Sequence, residues 1–219
     1  MKKFRLFCMF MLVLFLFSGS SFAGDFGFYI EAASGSGEME YEDDYLGDDE
    51  WDNDVSVASI GFQLESNALG KSSGVFSFRF QAGLELRELD YDGYFGDVDV
   101  LDMYGISTKY TFAFGGDINN KVRLWAGPQL MLGLFTSSSE DWADEYEMDF
   151  GWMFGVGVAG GANVALGNRA VFTATLGYRV TGTLGFTDLD WDYEDDTDDE
   201  YDLTTGNGGE AFVSVGFMF

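Results

Sequence analysis

The last ten residues, Glu210-Ala211-Phe212-Val213-Ser214-Val215-Gly216-Phe217-Met218-Phe219, change character with every step. Ala211, Val213, Val215, Phe217 and Phe219 fall on one face; Phe212, Ser214, Gly216 and Met218 fall on the other. A period of two is the signature of a strand. If the odd face meets lipid, the sheet must close on itself, because hydrocarbon leaves no backbone donor or acceptor unpaired. The rest of the sequence is consistent with that barrel.

The chain opens with Lys2, Lys3 and Arg5, an apolar run from Leu6 to Phe17, and the small-x-small site Ser21-Phe22-Ala23. This is the order of a secretory signal peptide, expected at residues 1–23, with residues 24–219 as one barrel domain. The single cysteine, Cys8, lies in the signal, and the sequence has no histidine. The formal charge is −27, and losing Lys2, Lys3 and Arg5 takes it to −30. Such an acidic balance speaks against nucleic acid as a partner.

Seven further segments alternate like the last: 25–37, 55–65, 75–89, 103–114, 121–136, 150–166 and 170–187, with the eighth extending over 206–219. Four acidic blocks separate them at 38–54, 90–102, 137–149 and 188–202, and short turns lie at 66–74, 115–120 and 167–169. Lys71, Lys121 and Arg169 sit at or beside the short turns, whereas the acidic blocks hold no Lys or Arg. Short turns at one end and long acidic loops at the other match the plan of an outer-membrane barrel. The expected fold is therefore an all-β, eight-stranded antiparallel up-and-down transmembrane β-barrel.

Side-chain volume assigns the faces. One face of nearly every strand carries Phe, Trp, Tyr or Leu, too bulky as a set for the lumen of so small a barrel. The other face interleaves glycine with charge: Glu31, Arg79, Glu85, Arg87, Lys109, Arg123 and Arg179. These seven are the expected interior charges, and a buried charge needs a partner. Counted alone they are five cations against two carboxylates; a pore through them would favour anions inside, the acidic mouth would oppose that, and no selectivity follows.

The signal peptide, the eight alternating segments, Gly167-Asn168-Arg169 and the terminal Phe217-Met218-Phe219 together resemble the small outer-membrane barrels. That class includes the transmembrane domain of outer-membrane protein A and the opacity-type, porin-like surface proteins. The resemblance implies a monomer in outer-membrane lipid of a bacterial cell. It also implies that Phe219, with Phe217, is the signal read by the barrel-assembly machinery.

Candidate chemistry is sparse. The acidic blocks offer hard oxygen ligands, of which Asp90, Asp92, Asp188, Asp190 and Asp192 are weak candidates for Ca²⁺ or Mg²⁺. None has EF-hand spacing, and no other cofactor is expected. Trp51, Trp142 and Trp191 lie in the same blocks and suit an interfacial girdle. Without histidine there is no Ser-His machinery, so no enzyme is expected. The reading is a structural or surface-interaction protein that meets an extracellular ligand or host surface through its loops. The alternatives are a small porin or channel for ions and small hydrophilic solutes, and a soluble secreted β-barrel binding protein.

Overall fold

A computed structural model of the chain describes residues 25–42, 49–68, 75–92, 98–139, 150–167, 170–188 and 201–219. The signal segment and the hairpin tips lie outside these residues. Eight strands follow one another: β1 (Asp25–Glu42), β2 (Asp49–Glu65), β3 (Phe76–Asp92), β4 (Val98–Asn119), β5 (Val122–Ser139), β6 (Phe150–Ala165), β7 (Val171–Asp188) and β8 (Tyr201–Met218). Each pairs antiparallel with its sequence neighbours, and β8 returns to β1 to close the barrel. At the seam the Phe219 amide donates to the Phe26 carbonyl at 2.7 Å.

The register fixes the barrel's shape. Following paired residues from Phe28 through β2 to β8 leads back to β1 at Glu38, ten residues along. With eight strands, this stagger tilts the strands by about 40° at a rise of ~3.3 Å per residue. An 18-residue strand such as β1 then spans ~45 Å along the axis, well beyond the ~25 Å apolar band of a membrane barrel.

The surplus length lies at the acidic end. The acidic blocks were expected to be loops, yet β1 and β2 stay paired as far as Tyr41 with Asp49, inside the first block. β3 runs to Asp92, β4 starts at Val98, β5 ends at Ser139, and β8 begins at Tyr201 rather than near position 206. The reason is that strand formers such as Met39, Tyr41, Trp51 and Val100 separate the acids, which keeps the alternation intact. At the other end, β4 continues to Asn119, so the short turn expected at 115–120 narrows to Asn120-Lys121.

The two halves of the barrel have opposite polarity. Towards the termini the outward residues are apolar, among them Phe28, Ile30, Ile60 and Leu84, each more than half exposed. Cross-strand aromatic pairs gird this end: Phe76 with Phe114 at 5.5 Å, Phe78 with Phe112 at 5.4 Å and Phe172 with Phe217 at 5.3 Å. Towards the long hairpins, β1–β3 turn outward Glu38, Asp52, Asp54, Glu88 and Asp90. The inward residues there are Val55, Val57, Leu89, Met103, Phe135 and Met153, all buried in one cluster. The interior of glycine and charge expected from the sequence is thus concentrated in the membrane half, where Tyr29, Trp125 and Met218 also face inward. Where water replaces lipid outside, acids can face outward and the lumen fills with apolar side chains as in a soluble barrel.

Candidate functional site

Six side chains from five strands close a ring across the lumen. Lys109 Nζ lies 2.6 Å from Glu31 Oε1, which also accepts from Arg179 Nη1 at 2.7 Å. Arg179 Nε donates to Glu210 Oε2 at 2.7 Å, and Glu210 Oε1 accepts from Arg87 Nη1. Arg87 Nε reaches Glu85 Oε1 at 2.9 Å, and Glu85 Oε2 returns to Lys109 Nζ at 3.3 Å. Charge alternates at every step of the cycle. All six side chains are buried. Ser107 donates to Glu85 at 2.6 Å and Thr181 to Glu210 at 3.3 Å, which further satisfies the carboxylates.

Glycine makes room for the ring. The buried aromatics Tyr29, Trp125, Phe135 and Phe212 each lie against inward glycine and beside a cation. Phe135 covers Gly133 and Gly105, where an added Cβ would come within 2.3 and 2.4 Å of the ring. Phe212 covers Gly177 in the same way, at 2.4 Å. Arg87 stacks over Phe135 at 5.6 Å, Arg179 over Phe212 at 5.0 Å and Lys109 over Tyr29 at 5.7 Å. These contacts hold the cations by ring quadrupoles as well as by carboxylates.

A second ionic layer lies nearer the termini. Arg79 donates to Glu65 Oε2 from Nε at 3.1 Å and from Nη2 at 2.6 Å. It also reaches Thr175 Oγ1 and Asn163 Oδ1, both at 2.9 Å. Asn163 Nδ2 donates to Glu65 Oε1 at 3.1 Å, and the Trp125 indole N–H donates to Asn163 Oδ1 at 3.2 Å. The Arg79 guanidinium lies 4.1 Å from the centre of the Trp125 ring. At the rim, Arg123 donates to the Val75 carbonyl at 3.1 Å and faces Asp117 at 3.6 Å.

The structure brings Glu31, Glu85, Arg87, Lys109 and Arg179 into one ring, puts Arg79 in the layer below and leaves Arg123 at the rim. Sequence reasoning passed over two carboxylates of this system, Glu65 and Glu210. Both stood on inward faces: Glu65 in step with Ser59 and Gln63, Glu210 in step with Phe212 and Ser214. With them the ring is neutral, with three acids and three bases, and Arg79 is neutralised by Glu65. The five-to-two excess of cations counted from the sequence is thereby offset by Glu65 and Glu210.

The other candidates lie elsewhere. Asp90 faces outward on β3, Asp92 and Asp188 end β3 and β7, and Asp190 and Asp192 fall outside the described residues, as do Trp142 and Trp191. Trp51 lies in β2. Among the described residues no group of three or more His, Cys, Asp or Glu is gathered to hold a metal. Phe217 and Phe219 face outward at the seam, 48% and 66% exposed.

No protein-family model matches the chain, and no curated protein sequence does so. Solved structures do. The outer membrane protein OprG of Pseudomonas aeruginosa aligns over 90% of this chain and 96% of its own, at 13% identity and a TM-score of 0.57. Neisserial surface protein A aligns over 86% and 96%, at 16% identity and a TM-score of 0.30. The Escherichia coli outer membrane protease OmpT aligns over 91% and 99%, at 8% identity and a TM-score of 0.34. The closed eight-strand sheet, its outward apolar belt and the backbone match to OprG lead to one conclusion: the chain has the fold of the small outer-membrane β-barrels.

Proposed function

We propose that this protein is a non-conducting surface protein of the outer membrane, a monomeric scaffold that holds four acidic hairpins outside the cell. The observation that carries the reading is the closed ring Glu31–Lys109–Glu85–Arg87–Glu210–Arg179. Opening a path would require separating buried ion pairs, and removing one partner of such a pair costs about 3–5 kcal/mol. Above the ring, Val57, Met103, Phe135 and Met153 fill the lumen with apolar side chains. A lumen blocked by both layers suits a barrel whose work is done on its outside. The hairpins are the contact surface, and their paired strands carry Glu38, Asp52, Asp54 and Asp90 beyond the apolar belt.

Planar-bilayer recording of the refolded protein tests the reading. The expected record shows no stable conductance steps. Steps of reproducible size would overturn it in favour of a small channel.

A further inference from the structure

At the Arg79 layer, and between it and the ion-pair ring, several buried polar atoms meet no hydrogen-bond partner among the described residues. They are Nε2 and Oε1 of Gln63, Nε2 of Gln81, Oε1 of Gln129 and Oγ1 of Thr173. None of these four side chains is more than 2% exposed. Register places them. Gln63 and Gln81 are paired across β2 and β3, each two residues nearer the ring than Glu65 and Arg79. Gln81 is also paired with Lys109 of the ring. Gln129 donates from Nε2 to Thr111 Oγ1 at 3.1 Å, and Thr111 is paired with Arg79. Thr173 lies one inward step before Thr175, which accepts from Arg79.

Two of these groups converge on one spot. Gln63 on β2 faces Gly27 of β1, and Thr173 on β7 faces Gly216 of β8, so glycine leaves the way between them open. A Cβ on Gly216 would fall 2.7 Å from Gln63 Nε2 and 3.1 Å from Thr173 Cγ2. Both side chains therefore meet over Gly216, yet the amide and the hydroxyl do not bond to one another. Buried polar groups left in this way are costly, and an amide unpaired at both ends is doubly so.

The missing partner must donate and accept. Gln63 and Gln81 present N–H groups, while Gln63 and Gln129 present carbonyl oxygens. A metal ion would meet the N–H groups and an anion would meet the oxygens. The nearby charges of Arg79, Glu65, Lys109 and Glu85 already have opposite partners, so none is free to hold an ion. Water is neutral, donates and accepts, and needs only about two to four polar partners.

We propose that bound water completes this part of the lumen, with one molecule held over Gly216 between Gln63 and Thr173 and others on Gln81 and Gln129. The ring closes the chamber on one side. On the other, Asn163 Nδ2 donates to the Ala68 carbonyl at 2.8 Å, and Ala68 is buried with Val171 and Met218, so the start of the β2–β3 turn folds over the mouth. The lumen is wet inside and shut to ions, which goes beyond the non-conducting reading without altering it.

A high-resolution crystal structure of the full barrel, joined to urea unfolding in detergent, tests this. Density for one water should lie within ~3 Å of both Gln63 Nε2 and Thr173 Oγ1. Thr173→Val keeps the side chain's shape and removes its hydroxyl. With water in place the variant deprives that water of a partner, and the folded-to-unfolded ratio should fall about fivefold. Gln63→Leu should shift the ratio in the same direction. In a dry lumen both variants would relieve an unpaired group and raise it. Heat-shifted gel mobility verifies that each variant is folded. A direct bond between Gln63 and Thr173 with no density between them would overturn the proposal. So would an ion with its own coordination shell at that spot, or a ratio that rises or stays level in Thr173→Val.

Discussion

Lys109 and Glu31 meet at 2.6 Å in the middle of the lumen although they belong to β4 and β1, strands that are not neighbours in the sheet. The bond therefore spans the barrel's interior, and both side chains are buried. Lys109→Met should leave Glu31 with Arg179 alone and destabilise the barrel by about 3–5 kcal/mol. The double variant Glu31→Gln, Lys109→Met removes both charges and should recover part of that loss. Urea unfolding in detergent, followed by strand circular dichroism, measures both. A double variant as unstable as the sum of the singles would mean that the two residues act independently.

The same ring makes a prediction about conduction. Replacing Arg87 and Arg179 by Ala cuts the cycle at both bonds to Glu210, yet Val57, Met103, Phe135 and Met153 still block the lumen above it. Bilayer recordings should stay silent in that double variant. Conductance should appear only when Phe135→Ala and Met153→Ala are added together with Arg79→Ala and Trp125→Ala, which open the layer nearer the termini. Steps in the Arg double variant alone would show that neither the apolar cluster nor the Arg79 layer seals the lumen.

Glycine spacing inside the barrel is testable by contrast. A Cβ on Gly133 would meet the Phe135 ring at 2.3 Å, while one on Gly116 would meet nothing within 4 Å. Gly133→Ala should cost about 1–3 kcal/mol by overpacking. Gly116→Ala should be close to neutral. Thermal midpoints of the two variants in one detergent give the comparison, and equal midpoints would refute the packing argument.

At Phe219 the seam contact and the expected assembly signal are separable. Phe219 contributes its amide to the seam with Phe26, a bond that any non-proline residue can make, while its ring points outward. Phe219→Ala should therefore leave the stability of refolded protein nearly unchanged. In cells the same variant should reach the outer membrane in reduced amount if Phe219 is the assembly signal that the resemblance to the small outer-membrane barrels implies. Normal surface levels of Phe219→Ala would remove the assembly role.

Alternation alone made the strands legible, since a lipid-facing strand must present apolar side chains at every second position. Gly151, Gly155, Gly157 and Gly161 likewise alternate with bulky residues along β6 and so mark its inward face. The acidic blocks misled because charge density suggests loops, whereas Glu38-Met39-Glu40-Tyr41 keeps a strand's period and needs only a partner to pair with.

The sequence by itself determined the number of strands, the face each turns to lipid and the end at which the acids gather, because these follow from local period and composition. Tertiary structure decided which interior charges meet. Glu31 touches Lys109 and Arg179 only because the ten-residue stagger brings β1, β4 and β7 to one level of the lumen. It also decided where the polarity of the two faces inverts. That level depends on how far the paired strands outreach the lipid, a property of the closed barrel rather than of any one strand.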